Sequence, residues 1–414
     1  MLRHLLRDKA ALLVQYSANG LLPLLMVPHV LGAIGPGQFG RLAVALSLGG
    51  IAAAIVQYSF HLAGPKLLAD SRTQDQRRAV FESVTLVKFV LSGLVLAVVS
   101  LGLALVRPQA GLLTLTMVSA LAVAAASNST WVLQFENRFP MVAGLSIVAT
   151  ACAILFGFAF VSGGTERSTW YGGIALVLAP TLLGGLTLAA ATARLRARFD
   201  LKELSGAGAL VRGGAPLFAS QFCAVLYGGV GAIVVASILG MEAAGRYGAF
   251  ERILTAVIGA CTLIHVAAYP RLVKAYAHDF GLYRRLVATT LSIYFVLVLT
   301  VIVATAFQSD RIFRLLFHGT IHASDPMVLA GALLMATSIF GPLLTGYLVV
   351  RGEPGRVLSL TFRLLLISLA LGLPGTKFLG AWAWLGALAV AQLVVATEAV
   401  ILFNRDFKCR ERVV

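Results

Sequence analysis

The chain reads as an all-α polytopic membrane protein, about twelve transmembrane helices in two six-helix bundles related by an internal repeat. Three observations lead there: how apolar the chain is, how its apolar runs are spaced, and a glycine-bearing stretch that occurs twice. Of 414 residues, 59% are hydrophobic and 12% charged, with a mean hydropathy of +0.90. A chain of this length cannot hide that much apolar surface from water, so its solvent is lipid. Crossing hydrocarbon takes roughly 20 apolar residues in a helix. Runs of that length fall near 10–33, 40–62, 83–106, 111–134, 140–162 and 170–193, and again near 214–239, 247–270, 284–307, 326–350, 357–375 and 379–403. Each is far too long for a barrel strand, and a helix satisfies its own backbone in hydrocarbon.

The repeat is carried by Val30 to Gly40 and Ile238 to Gly248. At an offset of 208 residues Leu31 pairs with Leu239, Gly32 with Gly240, Gly37 with Gly245, Gly40 with Gly248, and Phe39 with Tyr247. Pro65 to Leu68 is echoed by Pro270 to Val273 if a three-residue gap is allowed. Each copy lies between two apolar runs and so predicts a short hairpin between spans. Duplicated bundles of this kind are typical of transporters. The charged, glycine-containing segment 194–213 sets the boundary, giving bundles over 1–203 and 204–414.

A formal net charge of +16 would suggest nucleic acid in a soluble protein, but its distribution argues otherwise. With the N-terminus inside, 23 of the 33 Lys and Arg residues fall on the cytoplasmic side, eight outside and two within spans. That bias places both termini in the cytoplasm, with some of the basicity attracting anionic lipid heads. The four cysteines are scattered without paired spacing, which points to neither a disulfide framework nor a metal site.

Taken in order, span 1 carries Pro23 and Pro28 with Gln15, Ser17 and Asn19. Its freed carbonyls must face protein or water, so it reads either as a cavity-lining element or as a packing kink. Span 2 has Arg41 at one end and Gln57, Tyr58 and His61 near the other, and Lys88 lies inside span 3. Span 4 ends in Asn128, Trp131, Gln134 and Glu136, while spans 5 and 6 are nearly featureless. Pro216 opens span 7, which bears Gln221; span 8 bears Glu251, Arg252 and His265. Arg363 lies in span 11, and Gln392 and Glu398 in span 12.

These residues resemble a known family. The stretch Asn19 to Gly40, with paired prolines and closing glycines, is similar to the opening of bacterial polysaccharide transporters, the O-antigen and exopolysaccharide flippases. Trp131 to Arg138 resembles that family's Trp-x-x-Gln-aromatic-Glu stretch closing the fourth span, and Ile238 to Ile253 resembles its entry into the eighth. The resemblance implies two six-helix bundles facing a central cavity, in the superfamily that also holds multidrug and toxin exporters and lipid II flippases. It implies translocation of undecaprenyl-diphosphate-linked oligosaccharide repeat units across the inner membrane by alternating access. The expected partners are the lipid-linked oligosaccharide, membrane lipids and polysaccharide assembly proteins, with no nucleic acid. No cofactor is expected beyond coupling to a proton or sodium gradient. Two departures matter: lipid II flippases usually have two further helices, and the multidrug exporters often carry a carboxylate in span 1, where this chain has none.

A charge at mid-bilayer costs about 2.5–3.5 kcal/mol, so intramembrane ions need a cavity or a partner. Arg252, Arg363, Lys88 and Arg41 are the candidate contacts for a diphosphate, through the guanidinium fork or the compact ammonium. Snorkelling, or pairing with a carboxylate, explains the same residues structurally. Gln57, Gln134 and Gln221 are candidates for sugar hydroxyls, or for bonds between helices. Glu251 and Glu398 either carry a coupling ion or neutralise an arginine. Nothing points to catalysis: the sequence holds no metal-ligand cluster, nucleotide loop or nucleophile elbow. Three alternatives stay open: a small-molecule exporter of the same superfamily, a membrane glycosyltransferase or polymerase, and a scaffold. The second would want a large outer loop, and 308–325 is short.

Overall fold

The computed structural model describes residues 2–106, 111–200, 202, 207–278, 280–307, 309–322, 324–351 and 353–411. The side chain of Asn19 and the expected 203/204 boundary lie outside the described residues. By packing, the chain divides into two compact units, Met1–Arg252 and Ile253–Val414, at a point inside a continuous helix.

The first unit holds α1 (Leu2–Gln57), α2 (Phe60–Asp70), α3 (Gln74–Val106), α4 (Gly111–Ser127), α5 (Thr130–Phe135), α6 (Phe139–Phe160), α7 (Glu166–Leu195), α8 (Ala207–Gly229) and α9 (Gly231–Leu239). It also takes in the first part of α10 (Met241–His278). Helix α1 is two helices meeting at Gly35, whose φ of 76° and ψ of 166° fall outside the helical region. Glycine reaches such an angle without a Cβ clash, and the missing N–H of Pro36 is harmless where a new helix begins. Around α1 pack α4, α6 and α7. Small residues let them approach closely, as between the helix pairs of membrane bundles. A Cβ at Gly184, for instance, would lie 2.7 Å from the Ala124 carbonyl. The outward face of α3, with Leu94, Val98, Leu101 and Leu105 all more than 60% exposed, is apolar because its solvent is lipid.

At the end of this unit away from Gly35, aromatic side chains take over. Phe60, Phe81 and Trp131 are buried together with Phe199 against them. Arg78 pairs with Glu82 at 2.7 Å, and Glu82 also accepts the backbone N–H of Arg198 at 2.7 Å. Arg194 pairs with Glu136 across α7 and the end of α5.

The second unit holds the rest of α10, α11 (Phe280–Phe307), the short amphipathic α12 (Ser309–Phe317), α13 (Pro326–Thr337), α14 (Phe340–Val350), α15 (Pro354–Leu379) and α16 (Trp382–Glu411). Helix α16 packs on α13, α14 and α15. Trp384 is fully buried, against the Cβ-free surface of Gly372. The Tyr294 hydroxyl donates to the Met335 carbonyl, where α13 is about to end.

Among the described residues, ten helices are long and apolar enough to cross a membrane, and the bent pair Leu210–Gly229 and Gly231–Leu239 makes eleven. One of the ten, Val14–Asp70, has 57 residues. That is about 85 Å of helix against a hydrocarbon core of about 30 Å, so it is two spans joined at Gly35. The count then equals the twelve expected from the sequence.

The structure changes the register of the repeat. The second break, matching Gly35, is Gly240, with φ 89° and ψ 175°. The offset between them is 205, not 208. At 205, Gly35-x4-Gly40-Arg41 superposes on Gly240-x4-Gly245-Arg246, and Pro65 meets Pro270 with no gap. The equivalent glycines also touch each other. A Cβ on Gly40 would overlap the Met241 carbonyl, and a Cβ on Gly245 would overlap the carbonyl of Pro36, the residue equivalent to Met241. Such reciprocity, residue i meeting j′ and j meeting i′, is the mark of a local two-fold relation.

Candidate functional site

The site is a cavity of about 630 Å³ within the first unit, walled by α1, α4, α6 and α7 and reached by α8 and the start of α10. Its polar wall is made where two spans lose their helical path. After Gln57 the chain passes through Tyr58 and Ser59 in the left-handed region (φ 44° and 59°) before α2 resumes. Neither residue is glycine, so the conformation must be held in place from outside. Tyr58 is the anchor: its hydroxyl donates to the Val211 carbonyl at 3.2 Å, and its ring stacks on Phe218 at 4.3 Å. With the backbone fixed, Gln57, Ser59 and His61 face the cavity.

The second break is at Asn128 and Ser129, between α4 and α5. The Asn128 side chain accepts from the Thr130 N–H at 3.1 Å and from the Thr130 hydroxyl at 2.7 Å, restarting the helix. Ser129 N–H donates to Thr187 Oγ1 at 3.2 Å. The Asn128 carbonyl, freed by the break, accepts from Lys88 Nζ at 2.7 Å. Lys88 is 2% exposed. A cation at a helix C-terminus is favoured by the partial negative charge there, which accounts for an ammonium at this depth.

The remaining walls bring Ser146 and Thr150 from α6, Pro23 from α1 and Pro180 from α7, Gln221 from α8 and Arg252 from α10. Among the described residues the lining contains no carboxylate. Three of its polar atoms are buried without a hydrogen-bond partner: Gln57 Oε1, Ser59 Oγ and Ser146 Oγ. Each costs free energy unless something hydrogen-bonds to it.

Of the residues singled out from sequence, Arg252, Gln57 and Gln221 lie in the lining. Lys88 sits one layer behind it, on Asn128. Gln134 is half-buried on α5, past the break, and Arg41 is exposed close to the Gly35 hairpin; neither is in the lining. Glu251 accepts from the Tyr247 hydroxyl at 3.0 Å and is likewise outside the lining. Arg363 and Glu398 belong to the second unit, where Arg363 Nη1 lies 3.2 Å from Glu398 Oε2 and Nη2 donates to Ser359 Oγ at 3.1 Å. Ser59, Ser146 and Thr150 were not singled out. The run Ser127-Asn128-Ser129-Thr130 inside an apolar stretch was a legible turn signal, but Tyr58-Ser59 carries none.

The family model described as "Polysaccharide biosynthesis protein" matches residues 5–276, more than half of the chain. No curated protein matches. Among solved structures, the chain is similar to "Lipid II flippase MurJ, inward closed conformation", with a TM-score of 0.68 and 12% identity over 96% of this chain and 87% of that one. It is similar to the inward-facing conformation of a multidrug resistance MATE family transporter of the MOP superfamily, with a TM-score of 0.59 and 14% identity over 98% and 96%. The outward-facing conformation gives 0.58 and 14% over 99% and 97%. At these identities the structures speak for the fold, while the match over residues 5–276 speaks for descent: the chain belongs to the polysaccharide biosynthesis protein family and has the fold of the MOP-superfamily transporters.

Proposed function

We propose that this protein is a flippase that carries undecaprenyl-diphosphate-linked oligosaccharide repeat units from the cytoplasmic to the outer leaflet of the bacterial inner membrane. The observation that carries the reading is the lining of the first-unit cavity, which offers a permanently charged guanidinium, amides and hydroxyls, and, among the described residues, no carboxylate. An anionic, hydroxyl-rich headgroup is served by that set. A cationic drug, which needs acidic or aromatic partners, is served poorly. Arg252 is assigned to the diphosphate, through charge-assisted hydrogen bonds. The prenyl chain remains in lipid.

Alternating access requires the Gly40–Gly245 contact to part when the cavity turns to the other side. Glu251, held by Tyr247 and next in sequence to Arg252, is the residue we assign to coupling with a proton or sodium gradient. Glu398 serves in the same role only if it leaves Arg363. The charge bias of the loops supports cytoplasmic termini. Lys88, Gln134 and Arg41 are assigned to support of the cavity and not to direct contact.

The competing reading, a small-molecule exporter, draws on the MATE likeness. Thermal stabilisation of the purified protein separates the two. Purified lipid-linked oligosaccharide should raise Tm, and cationic dyes should not. Stabilisation by the dyes alone would reverse the assignment.

A further inference from the structure

We propose that the turn between α5 and α6 is a binding site for one anionic phospholipid of the inner leaflet, on a face of the first unit turned away from its cavity. The site stands whichever cargo the cavity carries.

The turn is built by a helix end. Asn137 takes a left-handed φ of 58°, its N–H donates to the Gln134 carbonyl at 3.0 Å, and the Arg138 N–H donates to the Leu133 carbonyl at 2.8 Å. These paired bonds close α5 and leave Arg138 as the N-cap of α6. Helices α3 and α7 bring two further arginines. The Arg77 guanidinium lies 5.6 Å from the centre of the Phe135 ring, and Arg194 Nε pairs with Glu136. The apolar helices that carry these residues end in one layer. Gln74–Leu105 begins three residues before Arg77, Glu166–Leu195 ends one residue after Arg194, and residues 136–138 separate Gly111–Phe135 from Phe139–Phe160. Guanidiniums from three places in the sequence thus share the depth of the lipid phosphates, on the side that the loop charges make cytoplasmic.

Arg194 answers the carboxylate of the turn, Glu136. Arg77 and Arg138 are exposed and have no carboxylate partner among the described residues. The Phe135 ring holds Arg77 by cation–π attraction, which leaves its N–H groups open. A phosphodiester supplies what the two lack, a compact anion with oxygens for a planar fork.

The lipid tail has a path as well. Helix α6 turns Ser146 and Thr150 to the cavity, whereas its Met141, Ile147 and Val148 are exposed and Gly144 has open space where a Cβ would stand. From Arg138 an acyl chain therefore meets an apolar surface with a notch in it. None of the three arginines lies in the cavity lining, which sets this bilayer lipid apart from a headgroup bound at Arg252.

The test uses purified full-length protein in neutral detergent, titrated with dioleoyl phosphatidylglycerol, dioleoyl phosphatidylcholine or a polyprenyl diphosphate, with bound lipid counted by native mass spectrometry. Wild-type protein should bind one phosphatidylglycerol about tenfold or more tighter than phosphatidylcholine, the value of a charge-assisted hydrogen bond. The double variant Arg77→Gln, Arg138→Gln should lose that preference and keep its lipid-free Tm, since both side chains are exposed. Arg271→Gln with Arg285→Gln removes the same charge from the second unit and should keep the preference. Gly144→Leu fills the notch and should weaken phosphatidylglycerol about fourfold, the value of one methylene contact. Equal wild-type affinity for the two phospholipids, or equal loss in the second-unit control, overturns the site. Unchanged binding in Gly144→Leu overturns the path of the tail. Displacement of phosphatidylglycerol by polyprenyl diphosphate, together with lost polyprenyl diphosphate binding in Arg77→Gln, Arg138→Gln, would give the turn to the cargo and overturn the phospholipid assignment.

Discussion

The two copies of the Gly-x4-Gly-Arg unit begin alike and then diverge. After Gly35 the first copy runs as helix for little more than twenty residues and breaks at Tyr58 and Ser59. After Gly240 the second copy continues unbroken to His278, passing Leu263 and Ile264 at the equivalent positions. Where the first copy has Gln57 and His61, the second has Thr262 and Val266. The cation is reversed: Arg252 is equivalent to Ser47, and Glu251 to Leu46. What the copies share is backbone geometry at the hairpin. What they do not share is the polar lining of the cavity. The repeat thus accounts for the architecture, and the candidate chemistry sits where the repeat has been broken.

The largest effect should come from disturbing what is shared. Gly245→Leu places a side chain where the Pro36 carbonyl stands, and a backbone carbonyl cannot rotate out of the way as a side-chain tip does. Overpacking of this kind costs about 1–3 kcal/mol, and here more if the helix must shift. The expected outcome is a lower Tm and reduced abundance in the membrane. Gly37→Ala, in the same hairpin with open space around its would-be Cβ, should be nearly neutral. Equal damage from both would mean that the hairpin is sensitive for some reason other than the reciprocal contact.

The next effect tests what is not shared. Arg252→Ala should weaken binding of a polyprenyl diphosphate by roughly tenfold to a hundredfold, the value of a charge-assisted hydrogen bond of about 1.5–3 kcal/mol. Arg252→Lys should keep part of the affinity, since charge is retained and the fork is lost. Ser47→Arg, the reciprocal change in the first copy, should not restore it. Titration calorimetry on folded Arg252→Ala protein decides the matter, and wild-type affinity there would sink the phosphate contact.

Much of this fold was legible in the sequence because the signals are large. Twelve apolar runs and a one-sided charge distribution survive errors of several residues. The repeat was legible, but its register was not. Glycines at 32, 37 and 40 match their partners at an offset of 208 as readily as those at 35 and 40 do at 205. The positive φ at Gly35 and Gly240, with the reciprocal contact of Gly40 and Gly245, decides for 205. The site was less legible still. Tyr58 and Ser59 hold a left-handed turn because of Val211 and Phe218, more than 150 residues away. No local composition announces that. Lys88 looked like a free intramembrane cation because its partner is a backbone carbonyl, which a sequence does not distinguish from any other.

The smallest predicted effect concerns the second unit, which holds the ion pair Arg363–Glu398. Arg363 is 56% exposed and Glu398 31%, and they are 35 residues apart on adjacent helices α15 and α16. For a pair this exposed, about 0.2–1 kcal/mol is the expected coupling. A double-mutant cycle measures it: Arg363→Met and Glu398→Gln singly, then together, followed by Tm. If the pair is only a structural link, each single change should cost stability, the double change should recover most of the loss, and transport should follow stability in all three. If Arg363 also handles cargo, the double variant should regain its Tm and still transport poorly. If Glu398 carries the coupling ion, Glu398→Gln alone should keep ligand affinity and lose dependence on the gradient. A double variant that is as stable and as active as the wild type would remove both residues from the site and leave the first unit as its sole location.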